Sequence, residues 1–367
     1  MKKQPRTNCT TPGRTQKGDR LKEIICCAGG KSAGHILPCL TLAKQANPRH
    51  LLFFSSNSSL DMKILQNHEL VTQHIPLPLA GIAYKHPLGM AKLLWAFCVA
   101  GYHLLKHRPS QLITTGGLSA VPACCAAFVL RIPIVLHELN ATPGKASRFL
   151  APLATRITVC FPETGKKFPQ HKTCVGSYPL QFDPTSIKHG HTRQALELPT
   201  DATILCIIGG SQGSQFINAT IRSLFENNEI LARKMHVIHQ TGADSADDQR
   251  AWYAQRGISH TVFSYTDRLH SYLAAANLII CRSGAGSLFE CAALGTPFIT
   301  IPLENVGAGH QVENAYAMSR MHPMRCRVLR QQQLLDTPSL LANVMREMLP
   351  TRAETTATSQ QGLKQVS

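Results

Sequence analysis

The chain has 367 residues, of which 44% are apolar, so it is long enough for two domains that each bury a core, and it is neither disordered nor fibrous in composition. No run of about 18 uncharged apolar residues occurs, so no membrane-spanning helix is expected. The 38 Lys and Arg against 21 Asp and Glu give a formal charge of +17, which suits nucleic acid, anionic lipid or phosphorylated substrates, or serves only solubility.

None of the thirteen cysteines is spaced C-x-x-C, and most lie in apolar runs, as Cys26, Cys27, Cys124, Cys125, Cys206 and Cys281 do. Buried reduced thiols of a cytosolic protein are expected, rather than a disulfide scaffold or a zinc site.

Residues 1–20 are basic and polar without an apolar centre, so they read as a flexible arm and not as a secretory signal. Glu23 to Ala28 is a strand that breaks into Gly29-Gly30-Lys31-Ser32-Ala33-Gly34-His35, with a helix from about Ile36 to Gln45 and a strand at Leu51 to Ser55. The turn is not a phosphate-binding Walker loop, because His35-Ile36 stands where Lys-Ser/Thr is needed. Nor does it match G-x-G-x-x-G. It leaves an imidazole at a helix start, whose positive end disfavours imidazolium and keeps His35 able to take a proton. His35 either does so or merely caps the turn.

Pro87 to His107 carries Met90, Leu93, Leu94, Trp95, Phe97, Val99, Tyr102, Leu104 and Leu105 with Lys85, Lys92, Lys106 and Arg108 around them. An apolar helix with a basic fringe suits an anionic membrane surface, or the first domain's core; partial exposure is the favoured reading. Gln111 to Thr115 is a strand ending at Gly116-Gly117, Ala120 to Leu130 a helix, and Ile132 to His137 a strand. Glu138 and Asn140 follow at its C-terminal end, where they either orient substrate hydroxyls or fix the loop.

The pattern then restarts after a polar, Pro- and His-rich stretch at Gly176 to Thr200, where a hinge is expected. Ile204 to Ile208 is a strand, Gly209-Gly210-Ser211-Gln212-Gly213 a turn, and Phe216 to Leu224 a helix, with Ser211 placed to cap the helix, to meet a phosphate, or both. Strands alternating with helices indicate doubly wound parallel sheets. The division expected is 1–20 arm, 21–180 first domain, 181–349 second domain and 350–367 polar tail, with the last helix before the tail free to cross back onto the first half.

Ile279 to Pro302 is the most informative stretch: a buried strand, the turn around Arg282-Ser283-Gly284-Ala285-Gly286, a helix carrying Glu290, and a second strand. Amides at such a helix start attract phosphate, Glu290 can accept from paired sugar hydroxyls, and Arg282 can hold a departing diphosphate. The plainer reading is a capping box, Ser287 with Glu290. His310-Gln311 begins a further helix and supplies polar donors. No D-x-D pair occurs, which argues against a nucleotide sugar held through a divalent metal.

Taken together, Ala28-Gly-Gly with Gly34-His35 and Pro38, Thr115-Gly-Gly, His137-Glu-Leu-Asn140, Gly209-Gly-Ser-Gln-Gly213, His239-Gln-Thr-Gly242, Cys281-Arg-Ser-Gly-Ala285 with Glu290, and His310-Gln311 with Asn314-Ala315 resemble the MurG family. These bacterial transferases add N-acetylglucosamine to the lipid-linked muramyl-peptide precursor of the cell wall. The similarity runs from about Lys22 to Leu349.

The resemblance implies a GT-B fold, two Rossmann-like domains with parallel sheets facing a central cleft, and inverting, metal-independent transfer without a cofactor. Glu290 would take the ribose hydroxyls. Ser211, Ala285, Gly286 and Ser287 would line diphosphate and sugar, and Thr266 would meet the uracil through its backbone. Gln311 with His310 would address the donor sugar, and Ser32, Ala33, Gly34 and Asn140 the sugar and acceptor. His35 would be the general base and Arg282 would stabilise the leaving group. Leu94, Trp95 and Phe97 resemble the family's membrane patch, implying a peripheral protein on the cytoplasmic face of the bacterial inner membrane. UDP-GlcNAc and an undecaprenyl-linked acceptor are the partners expected, with no nucleic acid.

Two departures from the family pattern stand out: the first loop is one residue longer, with Ala33 in place of a Gly, and Gly176-Ser-Tyr-Pro-Leu-Gln181 stands for Gly-Asn-Pro-Val-Arg. The alternatives are a related transferase with another lipid acceptor such as diacylglycerol, and a basic nucleic-acid-binding protein.

Overall fold

A computed structural model describes residues 24–30, 32–79, 87–187, 189–210, 213–242, 245–304 and 310–349. The basic arm, the tail and Ser211 lie outside the described residues. The chain divides into two compact units at Gln181 and Phe182.

The first unit holds strands β1 (Ile24–Ala28), β2 (His50–Ser56), β3 (Gln73–Leu77), β4 (Gln111–Thr114), β5 (Ile134–Glu138), β6 (Arg156–Val159) and β7 (Thr173–Val175). Between them run α1 (Ala33–Ala46), α2 (Ser59–Leu65), α3 (Pro87–His107), α4 (Val121–Val129) and α5 (Lys145–Leu150). The sheet is parallel throughout, in the order β3-β2-β1-β4-β5-β6-β7. A strand covered on both faces reads as a continuous apolar run, and β1 shows why. Cys26 and Ala28 enter one core with Phe54, Leu112, Ala96 and Cys124, while Ile25 and Cys27 enter the other with Phe53, Ile36, Cys39 and Leu40.

Helix α3 is apolar all round, and its two faces have different fates. Ala96, Ala100 and Leu104 are buried, the two alanines allowing close approach to α4. Met90, Leu94, Trp95, Tyr102 and Leu105 remain 60–65% exposed, beside exposed Lys92 and Lys106. Phe97 does not join them: one residue past Ala96 and one turn past Leu93, it packs against the core, which corrects its place in the surface patch. Among the described residues no helix is long and apolar enough to cross a membrane. Cys98, on the outer face of α3, is exposed, whereas Cys26, Cys27, Cys39, Cys124, Cys160, Cys206, Cys281, Cys291 and Cys326 are buried free thiols.

The second unit repeats the scheme with β8 (Thr203–Ile208), β9 (Met235–Gln240), β10 (Ser259–Phe263), β11 (Leu278–Cys281), β12 (Phe298–Thr300) and β13 (Cys326–Val328). Its helices are α6 (His189–Ala195), α7 (Gln215–Glu226), α8 (Glu229–Arg233), α9 (Ala246–Gln255), α10 (Leu269–Ala275), α11 (Ala285–Leu294), α12 (His310–Met321), α13 (Gln331–Asp336) and α14 (Leu340–Met348). The parallel order is β10-β9-β8-β11-β12-β13. Helix α14 buries Leu341, Ala342 and Met345 in this unit's own core with Ile280 and Ile299.

In both sheets the order reverses beside the first strand, between β1 and β4 and between β8 and β11. Strands adjacent in the sheet there send their connections to opposite faces, opening a crevice at their C-terminal ends where α/β sheets take ligands. Every Gly-rich turn singled out in the sequence leaves one of these four strands.

Candidate functional site

In the first unit, α1 starts at Ala33, three residues earlier than expected, so His35 is its third residue. Ser32 stands at the N-cap in extended conformation, and its side chain makes no cap hydrogen bond. The first-turn amides of Ala33 and Gly34 have no partner within a helix by its nature, so they suit a polar or anionic group. His35 faces the turn after β4: its Nδ1 lies 3.2 Å from Thr115 Oγ1, and that hydroxyl is 3.0 Å from the His35 carbonyl. Gly117, at φ 83°, passes the imidazole so closely that a Cβ there would stand 3.6 Å from Nε2. A Cβ would meet the ring in ordinary van der Waals contact, so it is the positive φ, not space, that favours glycine in this turn.

Next along the sheet edge, Glu138 ends β5 and is buried. Its Oε1 accepts from Asn140 N at 3.0 Å and Nδ2 at 3.2 Å. Burial pushes the Glu138 carboxyl up, against the lowering pull of Ser147 and Asn140. Of the two readings left open for this pair, the loop-fixing one describes Glu138; Asn140, half-buried, is held at the same edge as Thr115. His137, between buried neighbours and close to Arg156, is pushed down to about 4.

In the second unit, helix α7 begins at Gln215, and its N-cap is Ser214, whose Oγ accepts from Ile217 N at 3.3 Å. This corrects the capping role expected of Ser211. A Ser immediately before the apolar Phe216-Ile217 pair was the available signal, masked by the stronger Gly-Gly-Ser pattern upstream. At Gly213, φ is 76° and a Cβ would run into the Thr241 carbonyl, so the β8–α7 turn closes tightly over β9.

After β11, the helix starts at Ala285 with Gly284 at the N-cap and no side-chain cap. The capping box expected of Ser287 and Glu290 is therefore not formed: Ser287 is already inside the helix. Ala285, Gly286 and Ser287 are the first three helical residues, half-buried at the mouth of the β8/β11 switch point. Glu290 lies just over a turn further in, half-buried, and burial raises its carboxyl above the usual range.

Arg282 departs from expectation. It is 9% exposed, and its guanidinium donates to Ser214 Oγ at 2.6 Å, Gln331 Oε1 at 2.8 Å and Ile301 O at 3.1 Å. Those bonds tie the α7 cap, the β12 exit and α13 together, so Arg282 is a positioning residue that joins the two turns, not a cation open to a diphosphate. Glu304 continues the tie, accepting from Arg330 Nε at 2.7 Å and Gln331 N at 2.9 Å. Sequence patterns gave no sign of Gln331 or Glu304, which are distant in the chain.

Helix α12 brings its start to the same edge. Leu303 N donates to Gln311 Oε1 at 3.0 Å, and Asn314 Nδ2 to Ser283 O at 3.4 Å. Because a backbone N–H must face an acceptor, the Gln311 amide turns its NH₂ outward as a donor. His310 stands beside it, its Nδ1 buried without a hydrogen-bond partner among the described residues. Thr266 sits after β10, two strands from β8, with its hydroxyl accepting from Arg268 N at 3.2 Å. The structure thus brings Ser287, Glu290, Gln311, Gly209, Gly210 and Gly213 to one edge of the second unit. It groups Ser32, Gly34, His35 and Asn140 in the first.

Comparison with known proteins matches each half of the chain to a family model. Residues 24–159 match the glycosyltransferase family 28 N-terminal domain, and residues 204–367 the glycosyltransferase family 28 C-terminal domain. The UDP-N-acetylglucosamine–N-acetylmuramyl-(pentapeptide) pyrophosphoryl-undecaprenol N-acetylglucosamine transferase of Syntrophotalea carbinolica is 30% identical over 342 residues, 89% of each chain. The Bacillus subtilis protein of that name is 27% identical over 305 residues, 81% of this chain and 83% of its own. Among solved structures, Acinetobacter baumannii MurG superposes with a TM-score of 0.70 at 22% identity, covering 89% of this chain and 91% of that one. A UDP-GlcNAc 2-epimerase from Neisseria meningitidis bound to UDP-GlcNAc shares the fold at a TM-score of 0.57 and 13% identity, over 89% of this chain and 93% of that one. With two parallel α/β domains of the GT-B kind and both family models matched in order, the chain belongs to glycosyltransferase family 28, in its MurG group of N-acetylglucosamine transferases.

Proposed function

We propose that this protein transfers N-acetylglucosamine from UDP-GlcNAc to the 4-hydroxyl of the undecaprenyl-pyrophosphoryl muramyl-peptide, with inversion and without a metal. The observation that carries the reading is Glu290 on a helix whose N-terminal amides have no side-chain cap, at the β8/β11 switch point. A carboxylate there accepts the paired ribose hydroxyls, while the Ala285–Ser287 amides and the Gly209–Gly213 turn receive the diphosphate. Gln311 offers its NH₂ to the sugar.

As the glycosidic bond to UDP breaks, negative charge gathers on the β-phosphate, and fixed amide dipoles stabilise it without reorganising. The acceptor hydroxyl attacks the opposite face of the anomeric carbon, and its proton passes to His35. Ser32, Gly34 and Asn140 position the acceptor. Arg282 acts indirectly, by keeping the two donor turns in register.

The outer face of α3, with Leu94 and Trp95 flanked by Lys92 and Lys106, supports peripheral contact with an anionic cytoplasmic membrane surface, where a lipid-linked acceptor resides. Purified protein is to be assayed with UDP-GlcNAc, UDP-glucose and UDP-GalNAc against the muramyl lipid and against diacylglycerol. Transfer of N-acetylglucosamine to the muramyl lipid is the expected result; transfer only to diacylglycerol, or to neither, overturns the reading. His35→Ala lowers kcat by about 100-fold or more if the imidazole is the base. Near-normal turnover removes it from that role.

A further inference from the structure

We infer that Thr115 is a positioning residue that fixes the imidazole of His35 in the Nδ1–H tautomer, so that Nε2 is the nitrogen that accepts a proton. The inference rests on the transferase reading and adds the residue that prepares its base.

Three groups converge on one hydroxyl. Thr115 Oγ1 lies 3.0 Å from the His35 carbonyl, 3.2 Å from His35 Nδ1 and 3.6 Å from Cys39 Sγ. A hydroxyl has one proton and two lone pairs. The carbonyl can only accept, so the contact at 3.0 Å is a hydrogen bond only if the Thr115 proton points there. The lone pairs then receive the other two neighbours: Nδ1 must carry a hydrogen, and the Cys39 thiol donates weakly. The opposite assignment, with Thr115 donating to Nδ1, sets two bare oxygens against each other at 3.0 Å in a buried site. The tautomer is thus assigned from the bonding needs of the three neighbours.

The protein supports this hub from both sides. Thr115 and Thr114 are buried at the end of β4, and Thr114 Oγ1 is anchored on Ala28 O at 2.8 Å and accepts from Gly116 N at 3.0 Å. Cys39, buried in the second turn of α1, comes up beneath Thr115, so strand and helix meet through this hydroxyl. The Nε2 edge of the ring is turned toward Gly117. A neutral imidazole hydrogenated at Nε2 has no lone pair there, so losing the assignment removes the base without removing the histidine.

Two variants and one spectrum test the proposal. Thr115→Val keeps the shape and removes the hydroxyl; kcat falls about 10- to 100-fold while the KM for UDP-GlcNAc stays within about twofold. Thr115→Ser restores most of kcat. A loss that Ser does not rescue, or a KM that rises in parallel, marks a merely structural role and overturns the inference, as does wild-type kcat in Thr115→Val. Nitrogen-15 spectra of histidine-labelled full-length protein, with His35 assigned by difference against His35→Gln, read the tautomer independently of activity. A pyridine-type Nε2 is expected, and a pyridine-type Nδ1 overturns the inference even if Thr115→Val fails to fold. Absence of N-acetylglucosamine transfer by the wild-type protein defeats the transferase reading instead and leaves the spectrum to decide the tautomer.

Discussion

Glu290 shows how one side chain is read differently once its backbone is known. As the fourth residue of a Ser-x-x-Glu pattern it is a capping carboxylate; in a helix that starts at Ala285 it is an interior residue too far in to cap, and the proposed function gives it the ribose hydroxyls. Burial raises its carboxyl above the ordinary glutamate range, and the ionised form is the one that accepts two hydroxyl protons. Donor binding is therefore complete above that raised value and is lost as pH falls through it, earlier on acidification than for an exposed glutamate. The KM for UDP-GlcNAc, followed over roughly pH 5 to 8, rises on the acid side. Glu290→Gln raises it by roughly 10- to 100-fold at neutral pH and flattens the acid-side rise. A wild-type KM that is level across that range contradicts the assignment. Arg282 teaches the reverse lesson: an arginine beside a phosphate-type turn looked like a ligand, yet it is buried with Nη1 and Nη2 bonded to Gln331, Ile301 and Ser214. Sequence shows which residue carries charge, not which neighbours from distant segments have already claimed it.

At the level of elements, strands β1, β4, β8 and β11 and the turns after them were legible because buried parallel strands are apolar runs that stop abruptly at glycine. Helix starts were not, since a cap is decided by φ and ψ as well as by residue type. Ser211 and Ser214 were both eligible, and Ser214 won because it stands in extended conformation at the end of a turn that Gly213 makes possible. Gly213→Ala puts a methyl against the Thr241 carbonyl, in addition to the strain of a positive φ. Gly257→Ala is the control: φ is 64° and nothing lies within 4 Å. The control costs about 1 kcal/mol. Gly213→Ala costs more, lowers Tm by more than roughly 2–4 °C and raises the KM for UDP-GlcNAc. Equal Tm and KM in the two variants mean that the turn does not shape the donor site. Helix α3 was ambiguous for a different reason: with apolar residues on every face, periodicity carries no phase, and only packing against α4 separates Phe97 from Trp95.

Across the whole molecule, the same solution is used twice, with a parallel sheet, a switch point beside its first strand, and glycine turns at the C-terminal edge. The sequence disclosed that repetition, because each opening unit is an apolar strand ending in Gly-Gly. The two copies then differ, one with an imidazole in the first turn of a helix and the other with a carboxylate just over a turn into one. Of the formal charge of +17, Lys92 and Lys106 on α3 account for a small part. Binding to vesicles rich in anionic lipid is expected to weaken with salt and to fall when Leu94 and Trp95 are both changed to Ser; sedimentation unaffected by either treatment argues that α3 is not the contact. Cys98, one turn from Leu94 and from Tyr102 on the exposed face of this helix, is also the exposed free thiol among the described cysteines, most of the others being sealed in the cores. The protein thus carries a built-in attachment point for a polarity-sensitive fluorophore. An emission shift to the blue on adding vesicles, absent in a Cys98→Ser control, would let native chains report their own landing on a bilayer with no engineered cysteine.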